Sequence, residues 1–305
     1  MMFKLMKAWR NQGYTERRIE IAMIGDALPE IPSPYLLQSS FSRRIQRGDN
    51  MNGSFRARLC AGELLLGTMI TIPSPEIAEL LAQTGFDWLF IDAEHGVFEA
   101  QQMQAVLQGA GSAAPCIIRL SSTEDTVVKK ALDVGAVGII APQVNTAEIA
   151  ERVVRSAKFS PDGSRGLGIS RANHYGMQFD EYTRTANENT AVIVQAEHIK
   201  AVENMESIVR VSGVDAVFVG PFDLSASMGR PGEVGHPEVA EAINHVRDVC
   251  LAGGVRIGIF GVSAEAVKPF IAQGYTLIVA GADTMLLGHA AGALLDGLRR
   301  DDHDS

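Results

Sequence analysis

From Glu63 onward, short apolar runs alternate with longer segments whose apolar positions recur every three or four residues. A short apolar run bounded by turn residues marks a buried strand, and the three-to-four spacing marks a helix with one buried face. The pattern predicts strands at Leu64–Thr71, Trp88–Asp92, Cys116–Arg119, Gly138–Ala141, Ala191–Ala196, Ala216–Val219, Arg256–Ile259 and Leu277–Val279. Between them it predicts helices at Pro75–Gln83, Glu99–Gly109, Thr123–Val134, Thr146–Ala157, Val202–Val211, Pro237–Ala252, Ala264–Gln273 and Thr284–Leu298. Several helices end in a glycine that feeds the next strand, as in GFDWLFID, GAVGIIAP and GYTLIVAG. Glycine supplies the positive φ that a helix C-terminus favours. The strands are continuous apolar runs, which implies parallel strands covered on both faces.

Eight strand–helix units in about 240 residues is the arithmetic of a (β/α)8 TIM barrel. A doubly wound open sheet is the alternative. It is disfavoured because the first predicted strand runs into TIPSPE, with no G-x-G-x-x-G after it. One long connection, Phe159–Asn189, breaks the rhythm and carries SPDGSRGLGISRANHYG. Connections of that length are more often functional than idle. The first fifty residues lack sustained periodicity and are basic in patches. Glu16, Glu20 and the lack of an apolar core segment argue against a targeting leader. The expected organisation is an N-terminal extension over 1–55, poorly ordered, the barrel over 56–300 and a polar tail over 301–305.

Composition narrows the function. A formal net charge of −9 leaves no basic face for nucleic acid. The three cysteines, Cys60, Cys116 and Cys250, are too scattered for a zinc site or a disulfide framework, and fit a reducing, cytoplasmic setting. No apolar run approaches the length of a membrane span. A cytoplasmic enzyme is the expectation.

In such a barrel the chemistry lies at the C-terminal ends of the strands. Strand two runs into DAEHG, strand three ends at Arg119, and strand four runs into Gln143. Strand five ends in QAEH and strand six in GPFDLS. Glu197 and Asp223, at the ends of neighbouring strands, are the natural metal pair. Two hard carboxylates with open positions suit Mg²⁺ or Mn²⁺. The bland alternative is two solvated carboxylates at loop starts. His95 is either a structural hydrogen-bonder or a proton-transfer group. Arg119 either pairs with Glu94 or Glu197 or holds a substrate oxyanion. Lys129, Lys130, Lys158, Lys200 and Lys268 all fall on helices or helix boundaries, and no predicted strand carries a lysine. Schiff-base chemistry, which needs a lysine inside the barrel, is therefore not expected.

The motifs DAEHG, CIIR, QAE and GPFDLSASMG, with RANHYG and HPEV between and after them, resemble the HpcH/HpaI family of metal-dependent pyruvate aldolases. The likeness runs from Arg56 to Leu298. It implies a (β/α)8 barrel assembled as a homo-hexamer, a trimer of dimers, with the last helix exchanged between paired subunits. It implies Glu197 and Asp223 as ligands of a divalent cation (Mg²⁺, Mn²⁺ or Co²⁺), His95 as acid/base and Arg119 as holder of the pyruvyl oxygen. Gln195, Gly220 and Phe222 would line the substrate site, and Asp133 would partner the histidine. Barrel geometry puts Asp133, at a helix C-terminus, at the opposite end from His95, so that pairing requires an adjacent subunit. Gln143 and His198 depart from residues common in the family and bear on the acceptor pocket.

The chemistry implied is cleavage of a 4-hydroxy-2-oxo acid to pyruvate and an aldehyde through a pyruvate enolate held on the cation. The expected partners are therefore small molecules, with no nucleic acid and no membrane. Two alternatives stand beside it. A CoA-ester lyase of the citrate lyase β or malyl-CoA type would need basic residues near the mouth, for which Arg165 and Arg171 are candidates. A non-catalytic barrel would be expected to have lost the ligand residues.

Overall fold

The structure is a computed structural model and describes residues 53–300. The extension over 1–52 and the tail over 301–305 lie outside the described residues. Eight parallel strands close into a barrel in sequence order. They are β1 (Leu65–Ile70), β2 (Trp88–Asp92), β3 (Cys116–Arg119), β4 (Gly138–Ala141), β5 (Ala191–Ala196), β6 (Ala216–Val219), β7 (Arg256–Gly261) and β8 (Leu277–Ala282). The (β/α)8 expectation is met, and β2 to β6 begin and end where the apolar runs do.

The helices that cover the barrel are α2 (Pro75–Thr84), α3 (Ala100–Ala110), α4 (Asp125–Asp133), α5 (Ala147–Ala157), α7 (Ile199–Glu203), α8 (Met205–Ile208), α10 (Pro237–Gly253) and α11 (Ala264–Ala272). A short helix, α1 (Phe55–Ala61), precedes β1. The single helix expected over Val202–Val211 is two short ones, α7 and α8, because the chain leaves helical geometry at Asn204. The long connection is not structureless. It holds a 3-10 turn at Arg171–Gly176 and helix α6 (Phe179–Asn189). Periodicity did not expose α6 because only Ala186 of its eleven residues is buried, too few to mark a face. Helix α9 (Pro221–Ser227) opens directly after β6, and α12 (Asp283–Arg300) ends the described chain.

Strand parity decides what fills the barrel. Successive side chains of a strand point to opposite faces, and Leu65, Trp88, Phe90, Ile117, Ile193, Phe218 and Leu277 pack together as the inner core. A second, larger cluster lies between strands and helices. The inner core contains a run of aromatic rings. Phe55 of α1 meets Trp88 at 5.9 Å between centroids, Trp88 meets Phe90 at 6.0 Å, and Phe90 meets Phe218 at 5.7 Å. Gly67 makes room for it, since a Cβ there would lie 2.7 Å from the Trp88 indole. Continuing the same parity one step beyond Phe90, Ile117 and Ile193 brings Asp92, Arg119 and Gln195 to the C-terminal end of the barrel.

Candidate active site

Asp92 and Arg119 face each other in the β2–β3 register. Arg119 Nε donates to Asp92 Oδ1 at 2.9 Å and Nη2 donates to Oδ2 at 2.7 Å. This is a bidentate pair, the strongest geometry available to a guanidinium and a carboxylate. Both side chains are buried, and the guanidinium carbon stands 5.4 Å from the Phe90 ring centroid. Asp92 Oδ1 also accepts the backbone N–H groups of Glu94 and His95, each at 3.2 Å. One carboxylate therefore orients Arg119 and shapes the turn that carries His95. Neither partner foreseen for Arg119 is its main one. Glu94 is secondary, with Oε2 3.3 Å from Nη1, and Asp92 was missed as a site residue. Its signal was available, as an acid closing a fully apolar strand. Removing it leaves a buried guanidinium without its anion, so Asp92→Ala is expected to cost roughly 3–5 kcal/mol. Chemical denaturation of the variant, with unchanged stability as the contrary outcome, checks this.

Glu197, just past β5, is 2 % exposed. Oε1 accepts the Gln143 backbone N–H at 2.7 Å, and Oε2 accepts from Gln195 Nε2. Gln143 makes its bond from a left-handed backbone, φ +53. Conformations of that kind are held only where the surroundings impose them, and they cluster at functional sites. Burial pushes the Glu197 carboxyl up to about 7, with the like charges of Glu94 and Asp223 adding to the effect and the Gln143 bond and Arg119 opposing it. Burial likewise raises Glu94, with Asp92 and Asp223 adding and Arg119 and His95 opposing. Asp223, exposed in the first turn of α9, is thus close enough to act on both glutamates. Gly220 is needed between them. A Cβ there would lie 2.8 Å from Glu197 Cβ and 2.9 Å from Gln195 Nε2.

Gln195 Oε1, buried at this mouth, makes no hydrogen bond, and Glu94 Oε2 has only its ion contacts with Arg119 and His95. Buried polar atoms left in this state call for a missing partner such as an ion. Among the described residues no group of three or more His, Cys, Asp or Glu side chains has metal-holding geometry. The donor set is instead an open one, with two carboxylates and the remaining positions free. That set fits a hard divalent cation that completes its shell from water and substrate oxygens.

Phe222 is half exposed beside Asp223. His95 is 66 % exposed at the side chain, with Nε2 4.0 Å from Glu94 Oε2. His198 accepts the Lys200 N–H and caps α7. The structure thus gathers Arg119, Gln195, Glu197, Gly220 and Asp223 at one end, with His95 and Phe222 at its rim.

Asp133 is elsewhere. It closes α4 at the opposite end and pairs with Arg165 Nη2 at 2.9 Å. Arg165 is buried against Phe159 and Tyr182, 4.6 and 5.6 Å from their ring centroids. Arg171 donates to the carbonyls of Val134, at 2.8 Å, and Leu107, at 3.4 Å, both at helix C-termini. Neither arginine stands at the mouth, which corrects the expectation that they would serve CoA phosphates there. The long connection packs beneath the barrel instead.

The barrel fold alone is compatible with many chemistries; its relatives supply the class, and the protein is an aldolase, a carbon–carbon lyase. A model of the HpcH/HpaI aldolase/citrate lyase family matches residues 68–290, and the chain belongs to that family. It is 37 % identical over 243 residues to 4-hydroxy-2-oxovalerate aldolase of Rhodococcus jostii, covering 79 % of this chain and 94 % of that protein. It is 34 % identical over 260 residues to hydroxypyruvate/pyruvate aldolase of Cupriavidus necator, covering 83 % and 95 %. The crystal structure of an HpcH/HpaI family protein from Burkholderia cenocepacia superposes with a TM-score of 0.78 at 37 % identity, covering 80 % of this chain and 98 % of that one.

Proposed function

We propose that the protein is a divalent-metal-dependent pyruvate aldolase that cleaves a 4-hydroxy-2-oxo acid to pyruvate and an aldehyde. What supports this most is the convergence of Arg119, Gln195, Glu197 and Asp223 at one barrel mouth, with the buried Gln195 Oε1 unmatched. A cation held by Glu197 and Asp223 would supply Lewis-acid polarisation of the substrate's keto group. The chain's own side chains do the rest. Arg119, unable to rotate away from Asp92, offers its guanidinium to the oxygen that gains charge as the C3–C4 bond breaks. His95, at the rim, takes the C4 hydroxyl proton directly or through water. That electron pair forms the aldehyde carbonyl, the C3–C4 pair passes into the enolate of pyruvate, and protonation at C3 completes the reaction. Gly220 keeps the floor beside Glu197 open, and Phe222 borders the acceptor side. The test is a pyruvate-release screen over a panel of 4-hydroxy-2-oxo acids, with and without added divalent metal. Cleavage of an acyl-CoA ester with no oxo-acid activity would replace this reading with the CoA-ester lyase.

Asp133 enters this scheme only across an interface, where its carboxylate would fix the tautomer of a neighbour's His95. The proposed assembly is a hexamer, a trimer of dimers that exchange their last helix. Helix α12 supports it, since Leu287, Leu294 and Leu298 are each more than 60 % exposed. Monomers rarely leave such a row of leucines in water. Mixing inactive His95→Ala and Asp133→Ala subunits is expected to restore activity at sites that pair a wild-type His95 with a neighbour's wild-type Asp133. Confirmed subunit exchange with no recovery would end the shared-site proposal.

Residues 1–50 are proposed to be an extension outside the catalytic unit. A version starting at Met51 is then expected to fold and to cleave substrate at the full-length rate. Insolubility or loss of activity would show that the segment packs on the barrel or its neighbours. The three cysteines are all free, which supports a reducing, cytoplasmic location. Among the described residues no helix is long and apolar enough to cross a membrane.

A further inference from the structure

On the face opposite the catalytic mouth, the N-terminal ends of β3, β4 and β5 and the long connection line a half-open cavity of about 480 Å³. That volume suits a small metabolite. Its wall is partly apolar, with Phe55, Pro115, Val137 and Ala186 contributing. Its polar lining includes Arg171, His174, Tyr175 and Tyr182, and contains no aspartate or glutamate. In a protein of net charge −9, a cavity lined by a cation and no carboxylate stands out as locally favourable to an anion.

Two further observations point to a built site. Arg171 uses its Nη groups on the carbonyls of Val134 and Leu107, and among the described residues no carboxylate pairs with it. The two helix C-terminal carbonyls meet part of its charge, and no anionic side chain neutralises the rest. His174 and Tyr175 are consecutive non-glycine residues in left-handed conformation, φ 53 and φ 57. Buried Asn173 holds the turn, accepting the Ser170 and Gly176 N–H groups and donating to the Gly168 carbonyl. Strain imposed this firmly is a mark of ligand clamps, and both strained residues line the cavity.

We propose that this cavity is a second ligand site, specific for a small organic anion with a ring-sized apolar body. The anionic head would sit on Arg171 and the body against Phe55, Val137 and Ala186. The site shares no residue with the catalytic mouth.

The experiment is isothermal titration of the full chain with benzoate and with phenyl phosphate, whose difference separates a carboxylate head from a phosphate head. Saturable binding of either is expected. Loss of a charge-assisted contact should weaken it about tenfold or more in Arg171→Gln. Thr185→Trp, which fills the cavity and keeps the guanidinium and its carbonyl bonds, should weaken it comparably and so separates loss of the site from loss of the fold. Arg119→Gln, at the other end of the barrel, should leave binding unchanged. The proposal is overturned if neither ligand binds, or if Arg119→Gln abolishes binding while both cavity variants retain it.

Discussion

Stripping divalent cations from the purified protein is expected to abolish aldol cleavage, and Mg²⁺, Mn²⁺ or Co²⁺ to restore it. The argument starts from Glu197. Its carboxyl is buried beside two other carboxylates and is pushed up to about 7. Without a cation the folded protein therefore holds a proton that the unfolded chain gives up near pH 4.5. Ionising Glu197 in place costs stability as pH rises from about 4.5 to 7, and a bound cation removes that cost. Added Mn²⁺ should then raise the melting temperature more at pH 8 than at pH 5.5. Glu197→Gln should lose that pH-dependent gain and lower turnover about 100-fold or more, the scale of a lost electrostatic stabiliser. Among the described residues the competing Schiff-base route has one buried lysine to consider. Lys158 is pushed down to about 8 by burial. It caps α5 at the far end, however, and donates to the carbonyls of Asn187 and Thr190, each at 2.7 Å. Borohydride with pyruvate should trap nothing. Full activity in excess chelator, or a trapped lysine adduct, would remove the cation from the mechanism.

Arg119→Lys is expected to lower turnover at least about tenfold while keeping the charge. Lysine cannot reproduce the planar fork that engages both oxygens of Asp92. A point charge on a flexible stem would wander between Asp92, Glu94 and the substrate. The enolate step should suffer as well, seen as slower exchange of the pyruvate methyl protons in deuterated solvent. A variant that exchanges those protons at the wild-type rate would take Arg119 out of the proposed mechanism.

The catalytic end of the barrel was legible in the chain to an unusual degree, and the reason is local. An apolar run of four to six residues fixes a strand, its last residue fixes the mouth, and alternation fixes which side chains point inward. Trp88, Phe90 and Asp92 follow one parity, as do Ile193, Gln195 and Glu197. That Glu197, Asp223, Arg119 and His95 lie at the same end required only the strand ends and the rule that a parallel barrel has one catalytic face. The helix α6 was not legible because it buries a single residue. The break at Asn204 was not legible because both sides of it continue the same apolar spacing.

The sequence by itself determined the fold class, the strand positions to within a few residues and the residues at the mouth other than Asp92, all of which follow from neighbours within a few positions along the chain. Only the tertiary structure decided which partners those residues take. Asp92 clamps Arg119 across 27 positions, and Gln143 reaches Glu197 across 54. The path of the long connection beneath the barrel placed Arg165 on Asp133 across 32 and left Arg171 facing a cavity. Such pairings depend on strand register, on loop paths and on which charges burial leaves unmet, quantities that no local pattern carries.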